Sequence, residues 1–112
     1  MKLPNAGRAV VDIAKLRDYS LNAAHPEGKH KARMFTALLG FTSSDADKLR
    51  EMILSNVRQQ EATQGSVDQH GTRYTVDFEI QGLFGIVIVR TAWMIDTGET
   101  VPRLVSCYVI RK

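Results

Sequence analysis

Arg90 stands inside the run IVIVRTAWMI, where a cation needs a partner. Burying an unpaired charge costs several kcal/mol, so such residues are paired or put to use. Asp77, on the polar side of the preceding run YTVDFEI, is the candidate partner. The pair is either a structural ion pair, or the guanidinium is poised to hold a phosphate in a cleft. Arg103, beside Pro102 at the start of the last apolar run, is a further candidate cation or a plain surface arginine. Ser106, expected on the Leu104/Tyr108 side of its strand, and Thr91 offer hydroxyls to a ligand or to the backbone. Lys31 lies four residues before Phe35 and borders an apolar helical stripe. Its stem can follow the core while the ammonium reaches a cleft.

Two histidines, His25 and His30, sit among Lys29, Lys31 and Arg33. Histidine suits proton transfer near neutral pH, and a histidine before proline also serves as a turn residue. His70 reads as a loop residue. The three histidines share no ligand spacing with carboxylates or the cysteine, so no metal or other cofactor is expected. There is no glycine-rich phosphate loop, nucleophile elbow or dinucleotide fingerprint. Trp93 and Tyr108 could stack on a base or fill the core. Cys107, in LVSCYVI, reads as a small buried hydrophobe suited to a reducing compartment, which points to the cytoplasm.

Charge is unevenly spread. The 112 residues carry a formal net charge of +3. Residues 1–33 hold seven Lys/Arg against three acids, residues 34–72 three against five, and residues 73–112 five against four. The basic excess therefore lies in the first third, where it could meet phosphate. With 44% hydrophobic and 24% charged residues the chain has a globular composition, long enough for one domain with a core. No apolar run approaches the ~18 residues of a membrane helix, and no signal peptide is expected.

These residues need elements to position them. Asp12 can cap a helix through KLRDYSLN, with Ile13, Leu16 and Leu21 inward. Residues 25–40 read as a helix with Pro26 in its first turn, Ala32, Phe35 and Leu39 on one stripe, and Gly40 as the stop. A third helix, capped by Ser43 or Ser44, buries Ala46, Leu49, Met52, Ile53 and Val57 and ends near residue 60. EATQGSVDQHG reads as a polar connection. The period then changes from helical to alternating. RYTVDFEI is a half-buried strand, GIVIVRTAWMID a central strand covered on both sides, and PRLVSCYVI a third strand. Helices followed by an antiparallel meander make an α+β domain over residues 1–112, with the helices on one sheet face.

Three stretches together, HPEGKHKARMF, YTVDFEI leading into VRTAWMI, and PRLVSCY, resemble an uncharacterised bacterial domain family. Its pattern is HPxGxxKAxxF, a VDxE strand, an RxxW strand and a closing PRLVxCY. Members of that family look like the barnase–EndoU–colicin–RelE (BECR) group of metal-independent RNases and toxins. The resemblance implies N-terminal helices on an antiparallel sheet, RNA as substrate, and a small antitoxin or immunity partner. It points to His25, Gly28, Lys31, Phe35, Asp77, Glu79, Arg90, Trp93, Arg103 and Ser106, of which His25, Lys31, Asp77, Arg90, Arg103 and Ser106 are the catalytic candidates; Lys29, His30, Arg33, Thr91 and Trp93 are the expected RNA contacts. Such a set suits cleavage by internal attack of the 2′-hydroxyl, which needs a base, an acid and cations at the phosphorane. The alternative is a non-catalytic interaction module, antitoxin-like or an adaptor, whose cations are spent on internal carboxylates. Oligomeric state is left open.

Overall fold

The change of sequence period near residue 70 is also a change of layer. The computed structural model describes residues 1–111, with helices first and an antiparallel sheet after them. The first helix is short. Asp12 caps α1 (Ile13–Lys15) by accepting the Ala14 amide at 3.0 Å, and the chain continues as a π turn, Leu16–Ser20. The Leu21 amide reaches back five residues to the Leu16 carbonyl at 2.8 Å. Leu16, Ser20 and Leu21 are buried, while Tyr19 stays partly exposed.

Helix α2 (Lys29–Leu39) begins after the Pro26 turn and stops at Gly40, whose φ of 73° favours glycine. Its buried residues are the expected stripe of Ala32, Phe35 and Leu39. Helix α3 (Ala46–Val57) buries Ala46, Leu49, Ile53 and Val57. Its lead-in turn is capped by Thr42, not by Ser43 or Ser44: Thr42 and Asp45 form a reciprocal capping box.

The sheet has four strands in the order β1 (Ala62–Asp68), β2 (Gly71–Gly82), β3 (Gly85–Asp96) and β4 (Arg103–Arg111), each antiparallel to its neighbour. The stretch read as a polar connection is thus an edge strand. Only Ala62 of β1 is buried, so backbone pairing defines it without an apolar face. Tyr74, Val76 and Phe78 of β2, Val87, Val89 and Trp93 of β3, and Leu104, Cys107 and Val109 of β4 join the helices in one core.

Strand β3 is interior, yet its second face is covered only at Met94. Val87, Val89, Thr91 and Trp93 are buried, whereas Ile86, Ile88, Arg90 and Ala92 lie on a face open to solvent. The apolar residues on that face led the sequence to suggest a double cover.

A bulge reshapes β4. Ala92 pairs with Ser106 and Trp93 with Leu104, which leaves Val105 as an extra residue. Leu104 and Cys107 therefore both face the core. Ser106 and Tyr108 project from the opposite side, so Ser106 is not on the Leu104 side.

Candidate functional site

Helix α2 begins with no acid and three cations, Lys29, Lys31 and Arg33. Its N-terminus is held by His25, whose Nδ1 accepts the amides of Glu27 and Gly28, each at 3.0 Å. Nδ1 is therefore the unprotonated nitrogen, and Nε2 carries the proton. Gly28 is needed beside it, because a Cβ there would overlap the Tyr19 carbonyl oxygen. The His25 ring also meets the Tyr19 ring edge-on, with centroids 4.8 Å apart. Gly28 and His25 thus seat the start of α2 on the π turn.

This packing aims Lys31. Its ammonium lies 3.5 Å from the Tyr19 hydroxyl, 5.0 Å from the Tyr19 ring centre and 5.7 Å from that of Tyr108. Neither Lys31 nor its neighbours Lys29 and Arg33 forms an ion pair among the described residues. Two contacts with aromatic faces hold a cation without neutralising it.

Tyr108 stands opposite Arg90 in the β3–β4 register, and Arg90 stands opposite Asp77 in the β2–β3 register. Arg90 donates from Nε and Nη2 to the two Asp77 oxygens, both at 2.9 Å. Asp77 first, and more weakly Tyr108, hold the guanidinium charge above the ordinary arginine value, against the pull of partial burial. The side chains are 41% and 36% exposed, so Arg90 is not the buried cation its apolar surroundings suggested. With Thr63 and Thr75, the pair lines a groove of about 480 Å³ on the open sheet face.

Ser106, two residues before Tyr108, lines a second cleft of about 510 Å³ with Asp12, Lys15, Asp18, Tyr19 and His25. The outer edge of β4 is therefore where the helical layer and the open sheet face meet. His25, Lys31 and Ser106 come together there with Tyr19 and Tyr108, and Tyr108 links them to Arg90 and Asp77.

Other candidates are placed elsewhere. Arg103 pairs with Asp96 through bonds of 2.6 and 3.0 Å, and holds that carboxyl below its ordinary value. It stands opposite Met94, four residues along β3 from Arg90, about 13 Å at the ordinary strand rise. It does not share the Lys31 edge. Thr91 and Trp93 are withdrawn as RNA contacts. Both lie on the core side, 0% and 1% exposed. Trp93 Nε1 donates to Thr91 Oγ1 at 2.8 Å, and that hydroxyl donates to the Val76 carbonyl at 2.7 Å. Their hydrogen bonds are satisfied internally. His30 and Arg33 are exposed, and Lys29 half-buried, on α2.

Cys107 is buried, and desolvation pushes its thiol up to about 12, which keeps it a thiol rather than a nucleophile at neutral pH. Among the described residues, no three His, Cys, Asp or Glu side chains group as metal ligands, and no helix is long and apolar enough to cross a membrane. Tyr19 and Tyr108 were the residues missed as a pair. Tyr19 carried one available signal: an aromatic residue in the polar stretch RDYSLN.

The architecture and this edge define an α+β domain with helices on one sheet face and a cation–tyrosine cluster at the rim of the other. The chain belongs to the family described as a domain of unknown function (DUF6883), whose model matches residues 2–111. No curated protein and no solved structure matches it.

Proposed function

We propose that this protein is a small metal-independent endoribonuclease of the toxin kind, acting in the cytoplasm and neutralised by a small antitoxin or immunity partner. The order of layers, helices and then an antiparallel sheet with one open face, is what the resemblance to BECR toxins implies. The observation that carries the reading is Lys31: a cation without a carboxylate partner, held between Tyr19 and Tyr108, with Arg90 beside Tyr108. A phosphate placed at this edge would meet two cations, Lys31 held by the tyrosines and Arg90 held by Asp77. Transition-state charge on a phosphorane is stabilised by donors set in place beforehand. Asp77 orients Arg90, Ser106 offers a hydroxyl, and Nε2 of His25 is the proton-transfer candidate.

The test is the chemistry of the products. Purified protein incubated with structured and unstructured RNA in EDTA should cut it, leaving a 2′,3′-cyclic phosphate or 3′-phosphate and a 5′-hydroxyl. A 2′-deoxy nucleotide at the cleaved position should block the cut. Cleavage that requires added metal or leaves 5′-phosphates overturns the mechanism.

A second reading has its own support. Arg90 and Arg103 are both engaged by carboxylates, and Leu83 and Phe84 at the tip of the β2–β3 hairpin are 60% and 85% exposed. These features favour a protein-interaction module. No cleavage of any RNA, with no effect on growth, would favour it.

A further inference from the structure

Between α2 and β4 lies an apolar recess of about 260 Å³, lined by His30, Lys31, Met34, Tyr108 and Val109. Its size falls just below the ~300–1,000 Å³ of pockets that enclose a whole drug-sized ligand, so it suits a single planar ring. One wall is the Tyr108 ring, and Met34 and Val109 supply carbon surface. The polar groups at its rim are cationic or neutral: Lys31, His30 and the Tyr108 phenol. Lys29 and Arg33 lie further round the same helix, whose first turn carries no acid.

An apolar recess alone would take an apolar side chain as readily as a heterocycle. The charges decide between them. Lys31 lines the recess without an ion-pair partner, His30 stands beside it, and Lys29 and Arg33 add charge elsewhere on the helix; this balance favours a polyanion, and an apolar ring attached to a polyanion is a nucleotide. Lys31 belongs to both parts, since its ammonium faces the phosphate edge and its stem lines the recess. We propose that this recess holds one base of single-stranded RNA, that of the nucleotide adjoining the phosphate met by Lys31. The proposal rests on the ribonuclease reading for its substrate, but the recess can be tested without catalysis.

The probe is a fluorescent 2′-deoxy tetranucleotide, which cannot supply the attacking hydroxyl, compared with the same oligonucleotide lacking one base at each position in turn. Binding is followed by anisotropy at low salt, because phosphate contacts are strongly screened. Removal of one particular base should weaken binding by roughly 5- to 150-fold, the range for a stacked base. Met34→Trp fills the recess, and Tyr108→Leu removes the ring. Each should bring that preference close to one, with thermal melting as the control for folding. If neither variant folds, His30→Trp, at an exposed position, narrows the recess from the helix side and should do the same.

Equal binding of intact and abasic probes by the wild-type protein overturns the inference. So does a base preference that survives Met34→Trp or Tyr108→Leu in folded protein, or no binding of any probe. RNA cleavage whose base preference ignores these variants would leave the ribonuclease reading standing and remove the recess from it. Base-dependent binding with no cleavage of any RNA would do the reverse.

Discussion

Asp77 and Arg90 face each other across β2 and β3 and share two parallel hydrogen bonds of equal length, on the face of the sheet that the helices leave open. The geometry is that of the strong bidentate pair, but the setting is wet. A partly exposed pair contributes far less to stability than a buried one, because solvent already screens both charges. Arg90→Ala is therefore expected to lower stability by only about 0.5–1 kcal/mol. If Arg90 meets a phosphate, the same variant should slow RNA cleavage about 100-fold. Arg90→Lys should not rescue it, since an ammonium cannot keep both bonds to Asp77 while presenting a fixed face. Denaturant unfolding alongside a cleavage assay separates the outcomes. A loss of about 3–5 kcal/mol would mark the pair as structural, as for a buried ion pair.

Lys31 invites a cleaner test because no carboxylate depends on it. Lys31→Met keeps most of the stem against Tyr19 and Tyr108 and removes the charge. Stability should change by no more than about 0.5 kcal/mol, as for an ordinary surface substitution. Cleavage should fall on the order of 100-fold if the ammonium meets the transition state. Full cleavage by folded Lys31→Met would remove the central cation of the proposed site.

Much of this arrangement was legible in the residues. The α2 stripe, the Gly40 stop and the core face of α3 follow from helical spacing, β2 follows from alternation, and β3 from its continuous apolar run. Strand β1 was hidden because ATQGSVD has almost no apolar residue to alternate, and its identity lies in pairing with β2. The facing of Ser106 was hidden for a different reason. Alternation assumes one residue per step, and the bulge at Val105 inserts one more, turning Ser106 and Tyr108 away from Leu104. Trp93 and Thr91 were visible as polar-tipped residues, but only the fold shows that Trp93 donates to Thr91 and Thr91 to the Val76 carbonyl. The meeting of Lys31 with Tyr19 and Tyr108 joins three separate elements, so no local spacing encodes it.

His25 combines a visible structural job with a proposed chemical one, and substitution can separate the two. His25→Ala leaves the Glu27 and Gly28 amides without their acceptor and should cost about 1 kcal/mol, the usual loss for a helix cap. His25→Asn restores a side-chain acceptor at the same place but offers no imidazole. The expected outcome is that Asn recovers most of the stability, measured by thermal melting, and none of the cleavage rate. Recovery of both stability and rate would make His25 a cap alone, and the proton would have to move through another group.

Acid sensitivity should trace two carboxylates outside the proposed site. The Asp68 carboxyl, which accepts the His70 amide and pairs with Arg73, and the Asp96 carboxyl, paired with Arg103, both lie below the ordinary value of 3.8. A carboxyl with a lower pKa in the folded state binds protons more weakly there than in the unfolded chain. Its contribution is complete above the unfolded value and is lost as pH falls through the folded value. Melting temperature should therefore hold from neutral pH down to about pH 4 as far as these groups decide it, and fall below that. Asp96→Asn should melt slightly lower at neutral pH and lose part of that acid slope, so that the two curves converge in strong acid. The gap at neutral pH should shrink in high salt, because both partners are exposed. Parallel curves across the whole range would mean that the Arg103–Asp96 pair adds nothing to stability.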